Sequence, residues 1–221
     1  MERKPLLIFD LDGTLWDSGA NVATSWNLVI QSPFWAEHLP GKSFTEKDIH
    51  SVMGRTMKDI ADILFGELDK DMRPVLMKEC EEAELDYISK HGGILYPLVR
   101  ETLLELKQAG YTLAIVSNCQ CGYIEAFLDS MDMRTLFADF EEWGRTRLLK
   151  EDNIKLVCER NSFSAGDALY IGDIQKDCDS AHAAGVGFVH AAYGFGTAEA
   201  PEFVINEFSQ LKKILKTKWQ A

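Results

Sequence analysis

The amino-acid sequence predicts an α/β fold in which a parallel sheet carries helices on both faces and a helical insert forms a second unit. Three observations support this prediction. Short apolar runs typical of buried parallel strands recur along the chain, amphipathic helical segments alternate with them, and a long helical stretch separates the first strand from the second. With 221 residues, 46% of them hydrophobic, the chain can bury one substantial core and a second small one.

The first predicted strand is the apolar run 5–9, and it stops at two carboxylates, Asp10 and Asp12. Because side chains alternate along an extended chain, both acids start with the same facing, and Gly13 permits a turn directly after them. Like charges repel, and burying either one costs several kcal/mol unless a partner or a proton compensates. The pair therefore indicates a cation site, although aspartate in this position also commonly caps a turn.

The stretch between the first and second strands is predicted to be helical over 21–30, 45–52, 56–65 and 71–91. Roughly eighty residues is far more than a loop, since loops beyond ~12–15 residues are uncommon, so this segment must fold as an insert. Gly92 and Gly93 end the last helix. Its predicted buried stripe consists of Met72, Leu76, Cys80, Ala83 and Tyr87.

After the insert, strands and helices alternate. Strands are predicted over 111–116, 137–140, 168–171 and 187–191, and helices over 122–130, 151–160 and 175–184. In parallel sheets of this kind, active sites lie beyond the carboxyl ends of the strands. Ser117 and Asn118 follow the second strand, and Gly172 and Asp173 follow the strand 168–171. We therefore expect these residues to meet near Asp10.

Four short motifs share this expected edge of the sheet. They are, in order, Asp10-Leu11-Asp12-Gly13-Thr14, Ser117, Lys150 at the start of a helix, and Gly172-Asp173 with Asp177 four residues on. The set resembles the four motifs of the haloacid dehalogenase-like (HAD) hydrolase superfamily over nearly the whole chain, and the first and fourth motifs are specific. The resemblance implies a Rossmann-like core over 1–16 and 95–221 and a helical, C1-type cap domain over 17–94.

The resemblance also implies a Mg²⁺-dependent phosphatase of small phosphate monoesters, similar to the phosphoglycolate phosphatase and β-phosphoglucomutase branch. Asp10 would be the nucleophile that forms a phosphoaspartate, and Asp12 would act as general acid and base. Dehalogenase members lack a carboxylate at the position of Asp12, since a halide needs no proton, so its presence favours phosphoryl transfer. The implied metal site consists of Asp10, the backbone carbonyl of Asp12, Asp173 and Asp177.

The remaining implied residues contact phosphate or substrate. Ser117 and Lys150 would assist catalysis by binding phosphate oxygens, and Asn118, Thr14 and Arg55 would bind substrate. The superfamily often has Lys-Pro where this chain has Lys150-Glu151, so Lys155 is a competing candidate. Arg55 lies in a loop that resembles the substrate-specificity loop of capped members, although a solvated arginine would look the same.

Two other functions use the same sequence features differently. A phosphomutase would employ the same residues, with a sugar hydroxyl in place of water as the second attacking group. A non-enzymatic binding or regulatory module would be expected to have lost a motif carboxylate, whereas all four aspartates of the motifs are present.

The amino-acid composition limits the kinds of partner that the protein can bind. A net charge of -12 argues against a nucleic-acid or anionic-membrane surface, and no apolar run approaches the roughly 20 residues of a membrane span. The first residues lack the apolar region of a signal peptide, so the cytoplasm is the expected location. The expected partner is a small phosphorylated metabolite, and the sequence leaves the oligomeric state open.

Overall fold

The computed structural model describes residues 4–219 and confirms the predicted fold class. The strands in chain order are β1 (Leu6–Phe9), β2 (Trp16–Asp17), β3 (Ile94–Leu95), β4 (Thr112–Ser117), β5 (Asp139–Glu142), β6 (Ala168–Gly172), β7 (Gly187–Ala191) and β8 (Phe203–Ile205). The helices are α1 (Gly19–Ile30), α2 (Pro33–His38), α3 (Glu46–His50), α4 (Met57–Leu64), α5 (Arg73–His91), α6 (Val99–Gln108), α7 (Tyr123–Ser130), α8 (Trp143–Thr146), α9 (Lys150–Arg160), α10 (Gln175–Ala184) and α11 (Leu211–Trp219).

The main sheet has six strands in the order β5-β4-β1-β6-β7-β8, and every neighbouring pair is parallel. β1 lies between β4 and β6, with Phe9 opposite Ile115 on one side and Ile171 on the other. All four residues of β1 are buried, as expected for a strand covered on both faces. Because parallel strands end at the same edge, the segments that follow β1, β4 and β6 lie side by side.

Helices cover both faces of this sheet. On one face α9 and α10 pack against Leu6 and Ile8 of β1. On the other face Leu7 and Phe9 join a core that extends through α6 and α11 and continues into α1 to α5. No helix within residues 4–219 is both long and apolar enough to cross a membrane.

We call the segment from α1 to α5 the helical insert. It leaves the sheet at β2 and returns at β3, and these two strands pair antiparallel. The helices predicted over 21–30, 45–52, 56–65 and 71–91 correspond to α1, α3, α4 and α5. The predicted domain boundaries, at 16/17 and 94/95, stay a prediction.

Several short strands and helices were not predicted from the sequence. β2, β3, β8, α2 and α8 each contain between two and six residues, too few for a hydrophobic period to be recognised. The strand predicted over 137–140 is shifted and runs from Asp139 to Glu142.

The predicted buried stripe of α5 is partly wrong. Leu76 and Cys80 are buried, but Ala83 and Tyr87 are only half-buried, and Glu84 and Ile88 lie in the buried positions instead. The observed buried stripe advances by four residues at each step from Leu76 to Ile88. It therefore places the carboxylate of Glu84 inside the insert. Trp26 Nε1 donates a hydrogen bond of 2.6 Å to Glu84 Oε2. Burial nevertheless raises the pKa of Glu84 to about 8.

Replacing Glu84 by glutamine is expected to stabilise the protein at alkaline pH. Glu84 has an ordinary pKa of 4.5 when unfolded but a pKa of about 8 in the folded protein. Between these values the native state binds the extra proton, so the wild type loses stability as the pH rises and the variant does not. The advantage of Glu84→Gln should grow to a few kcal/mol from about pH 5 to about pH 9, measured by urea unfolding.

Glu79→Gln is the matched control for this measurement. Glu79 lies on the same helix and accepts a 2.7 Å hydrogen bond from Trp35 Nε1, but its side chain is exposed. Its replacement should leave the pH dependence of stability unchanged. Parallel profiles for the wild type and Glu84→Gln would contradict the burial argument.

Candidate active site

The first motif turns sharply where β1 ends. The backbone N–H of Asp10 donates to Ile171 O at 2.8 Å, which continues the pairing with β6 by one residue. Gly13 then adopts φ +83, a conformation that L side chains rarely take. A Cβ atom on Gly13 would also lie 2.2 Å from Asp173 Oδ2. Glycine here therefore serves both the turn and the close approach of the first and fourth motifs.

Three carboxylates converge at this edge of the sheet. Asp10, Asp173 and Asp177 are buried, and each offers an oxygen that lies within 4.8 Å of the others. Lys150 Nζ donates to Asp10 Oδ1 at 2.9 Å and to Asp177 Oδ1 at 2.6 Å. The first, third and fourth motifs, predicted from distant parts of the chain, are thus in direct contact.

Asp177 is more fully engaged than the other two acids. Its Oδ1 accepts from Lys150, and its Oδ2 accepts from the backbone N–H groups of Asp173 and Ile174 at 3.1 and 3.3 Å. Asp173 Oδ2 accepts a 2.7 Å hydrogen bond from the N–H of Phe195. These contacts make Asp177 the residue that positions Lys150 and the loop of the fourth motif.

The negative charge of the acidic cluster is only partly neutralised by neighbouring positive groups of the protein. Burial raises the pKa of Asp10 and of Asp173, and repulsion from Asp177 raises both further, while Lys150 acts in the opposite direction. One ammonium faces three buried carboxylates. A divalent cation would supply the missing positive charge, and an all-oxygen donor set is what Mg²⁺ prefers. The residues present therefore fit a magnesium ion.

Asp12 has different surroundings from Asp10. Its Oδ1 accepts hydrogen bonds from Ser18 Oγ at 2.7 Å and from Tyr123 OH at 3.0 Å, and these two hydroxyls are themselves 2.7 Å apart. Burial raises the pKa of Asp12 to about 6. Such a carboxyl can both donate and accept a proton near neutral pH, as general acid and base catalysis requires.

The second motif connects the sheet to the helical insert. Ser117 ends β4 and Asn118 follows it, and both are buried. Asn118 Nδ2 donates to Gly54 O at 3.0 Å, so this side chain binds the insert. The substrate contact predicted for Asn118 can still be made by its backbone N–H, which does not need the side chain.

The structure distinguishes the two candidate lysines. Lys150 is buried against Asp10, whereas Lys155 is exposed and pairs with Asp152 at 3.3 Å. Thr14 is also buried, and its carbonyl accepts a hydrogen bond of 2.8 Å from Tyr193 OH. Its hydroxyl finds no partner within the described part of the chain. Arg55 is exposed where it borders the cavity described next.

A cavity of about 50 Å³ separates Asp10 and Asp12 from the helical insert. Apolar side chains of α1, α3 and α4 form much of its wall, and Ser117, Asn118 and Arg55 also line it. This volume holds only a few water molecules. A larger ligand would therefore need side chains of the cavity wall, or the insert itself, to move.

Several residues of the site had no usable signal in the sequence. Tyr123 contacts Asp12 from 111 residues away, and Ser18 Oγ also donates to Asp12 from outside the four motifs. Glu84 and Gln120, which line the cavity, lie outside the four motifs. Tyr170 OH donates to Val116 O at 2.7 Å beneath the acidic cluster. These contacts depend on tertiary packing, which no local spacing encodes.

Comparison with known proteins gives a consistent result. A family model described as haloacid dehalogenase-like hydrolase matches residues 7–191. The phosphoglycolate phosphatase of Aliivibrio fischeri is 30% identical over 232 residues, covering 95% of this chain and 96% of its own. That of Vibrio parahaemolyticus is 27% identical over 227 residues, covering 95% of each chain.

Solved structures share the fold. A Bacteroides fragilis protein assigned to the haloacid dehalogenase-like hydrolases superposes with a TM-score of 0.81 at 26% identity, covering 95% of this chain and 100% of its own. A hydrolase of the same family from Streptococcus pneumoniae gives a TM-score of 0.80 at 19% identity, covering 97% and 99%. The predicted family and the predicted enzyme class, a phosphatase, are confirmed. The chain belongs to the haloacid dehalogenase-like hydrolase family.

Proposed function

We propose that this enzyme is a Mg²⁺-dependent phosphatase that hydrolyses small phosphate monoesters through a phosphoaspartate on Asp10. The observation that carries the proposal is the position of Asp10. Its carboxylate borders the cavity, contacts Lys150 and belongs to the buried acidic cluster. Relatives named phosphoglycolate phosphatase support a small phosphorylated substrate.

Asp10 and Asp173 would hold the magnesium ion, together with the backbone carbonyl of Asp12, while Asp177 would complete the site through its contact with Lys150. When bound, the cation would neutralise charge on the phosphate oxygens. The buried carboxylates would hold the ion, and Lys150 adds a positive charge beside Asp10.

The protein's own residues account for the two chemical steps. In the first, an oxygen of Asp10 bonds to phosphorus as the bond to the alcohol breaks, and Asp12 gives its proton to the departing alkoxide. In the second, Asp12 takes a proton from water, which attacks phosphorus and releases phosphate from Asp10. Ser117, the N–H of Asn118 and Lys150 would stabilise the phosphoryl oxygens in both steps.

The proposal also covers the substrate, the location and the partners of the enzyme. We expect a small phosphorylated metabolite as substrate, a cytoplasmic location, and no nucleic-acid or membrane partner, given the net charge of -12. Thr14 and Arg55 remain proposed substrate contacts.

Asp10→Asn is expected to abolish phosphate release from every substrate, because an amide cannot form the acyl phosphate. The measurement is inorganic phosphate release from acetyl phosphate and from alkyl phosphates, with Mg²⁺ and with a chelator. Wild-type turnover should require Mg²⁺ and no bisphosphate activator, which separates hydrolysis from the phosphomutase alternative. Substantial activity of Asp10→Asn would contradict the mechanism.

Asp12→Asn should slow hydrolysis of alkyl phosphates by ~10²–10⁴-fold, since asparagine cannot protonate the alkoxide. Acetyl phosphate has a leaving group that needs no proton, so the variant should release one equivalent of acetate and then stall as phosphoenzyme. Rapid-quench measurement of acetate and phosphate tests both statements. Equal losses on the two substrate types, without a burst, would argue against a proton-transfer role.

Lys150→Met should lower phosphatase activity by ~10²–10³-fold, the usual effect of removing one preorganised electrostatic contact. It should also destabilise the fold by ~3–5 kcal/mol, because Asp10 and Asp177 lose their buried partner. Activity is therefore measured at a temperature where circular dichroism shows native structure. Lys155→Met, at an exposed position, is the matched control and should change stability by less than ~0.5 kcal/mol. Similar activity losses in both variants would contradict the assignment of Lys150.

A further inference from the structure

The loop after β7 lies outside the four motifs but packs against two of them. We call residues 193–196, a Tyr-Gly-Phe-Gly stretch, the β7 loop. Tyr193 OH donates a hydrogen bond of 2.8 Å to the backbone carbonyl of Thr14 in the first motif. A Cβ atom on Gly194 would lie 2.3 Å from the carbonyl oxygen of Gly13. The β7 loop is therefore held directly against the turn of the first motif.

The same loop contacts Asp173, one of the proposed metal ligands. The backbone N–H of Phe195 donates to Asp173 Oδ2 at 2.7 Å. A Cβ atom on Gly194 would lie 2.4 Å from Asp173 Cβ, and one on Gly196 would lie 2.9 Å from Ile174 Cγ2. The orientation of the Asp173 carboxylate thus depends on where the backbone of Phe195 lies.

The ring of Phe195 faces the helical insert. It stacks on the imidazole of His50 in α3, with ring centroids 4.2 Å apart and an angle of 24° between the planes. His50 is confined by two further contacts. Its Nε2 lies 2.9 Å from Asp17 Oδ1, and a Cβ atom on Gly19 would lie 2.6 Å from its Cδ2. The insert therefore presents this ring to Phe195 in a defined orientation.

The packing of the Phe195 ring contributes to the position of its N–H. Phe195 is flanked by Gly194 and Gly196, which permit the close approach to the motifs but restrict the backbone less than other residues do. The stacking partner of the ring belongs to the insert, and the acceptor of the N–H is Asp173. Phe195 therefore connects the insert to the acidic cluster.

We infer that Phe195 is a positioning residue for Asp173 and that His50 holds Phe195 in place when the insert covers the site. This inference rests on the proposed Mg²⁺-dependent function and adds a link between the position of the insert and the affinity for Mg²⁺. Closing the insert would tighten the cation site. Because such coupling is reciprocal, a bound cation would favour the closed insert by the same factor.

Two substitutions of His50 separate the stacking contact from the polar one. His50→Gln keeps a donor toward Asp17 and loses the ring, whereas His50→Phe keeps a ring and loses the donor. His91→Gln is the matched control, because the ring of His91 contacts Tyr87 within α5, with centroids 4.3 Å apart. This control removes a histidine–aromatic contact that lies entirely inside the insert.

The Mg²⁺ affinity is measured in two ways. The free energy of unfolding in urea, followed over a series of Mg²⁺ concentrations without substrate, gives the Kd of the folded protein for Mg²⁺. This Kd comes from the difference that Mg²⁺ makes, so a variant of lower stability can still be measured. The Mg²⁺ concentration for half-maximal hydrolysis of acetyl phosphate gives a second value, together with kcat at saturating Mg²⁺.

His50→Gln should raise the Kd for Mg²⁺ by ~3–10-fold, the effect of losing one aromatic stacking contact. Its kcat should return to the wild-type value at saturating Mg²⁺, because the substitution leaves the acids and Lys150 in place. His50→Phe and His91→Gln should both keep the wild-type Kd.

The outcomes separate the inference from the function on which it rests. A wild-type Kd for His50→Gln would overturn the inference and leave the phosphatase intact. Equal increases in His50→Gln and in either His50→Phe or His91→Gln would do the same, since stacking on Phe195 would then not be the cause. Hydrolysis of acetyl phosphate by the wild type that does not require Mg²⁺ would overturn the proposed function, and the inference with it.

Discussion

The site depends on a buried excess of negative charge at the edge of the sheet. Asp10, Asp173 and Asp177 lie within 4.8 Å of one another, and Lys150 is the cation in contact with two of them. Like charges in a poorly solvated place repel, and the raised pKa values of Asp10 and Asp173 express that repulsion. The fold maintains the arrangement because the hydrophobic strands that Asp10 and Asp173 follow are fully buried. A bound cation would relieve this repulsion.

The environments of Asp10 and Asp12 explain how neighbouring carboxylates can have different roles. Asp10 faces an ammonium group and two further acids, whereas Asp12 faces the hydroxyls of Ser18 and Tyr123. Burial raises the pKa of Asp10 to about 7 and Lys150 opposes that shift, so a bound cation would favour the ionised nucleophile. At the second position burial raises the pKa of Asp12 to about 6, while the hydroxyls of Ser18 and Tyr123 lower it, and the carboxyl therefore titrates near neutrality. The difference arises from Ser18, just before α1, and from Tyr123 of α7. Both residues lie outside the first motif.

The site residues that follow strands of the sheet were predicted from the sequence. The site residues brought in by packing of distant segments were not. Asp10, Ser117 and Asp173 follow three strands that are neighbours in a parallel sheet, so their meeting followed from topology. Tyr123 and Gln120 reach the cavity through contacts that span long separations and show no periodicity. On α5 the hydrophobic pattern was misleading. The predicted buried stripe contains Ala83, whereas the observed one contains the carboxylate of Glu84. A charged residue that breaks a hydrophobic period is itself a signal of function at such a position.

The helical insert contacts the rest of the protein at several points around the site. Asn118 bonds to Gly54 O, and a Cβ atom on Gly54 would lie 2.4 Å from Ile174 Cδ1, so the loop of the insert packs directly on the fourth motif. His50 Nε2 lies 2.9 Å from Asp17 Oδ1 beside β2, where the insert begins. Motion about this junction would admit substrate and, on closing, exclude water from the acyl phosphate.

Transfer of the phosphoryl group to Asp10 can be detected by mass spectrometry. Enzyme mixed with acetyl phosphate and Mg²⁺ is quenched in acid within the first turnover, digested and mapped. The phosphoaspartate mechanism predicts one acid-stable, hydroxylamine-sensitive phosphoryl group on the peptide that contains Asp10, and this group should be absent when Mg²⁺ is chelated. Phosphate release with no phosphorylated peptide, or phosphorylation of a different residue, would contradict it.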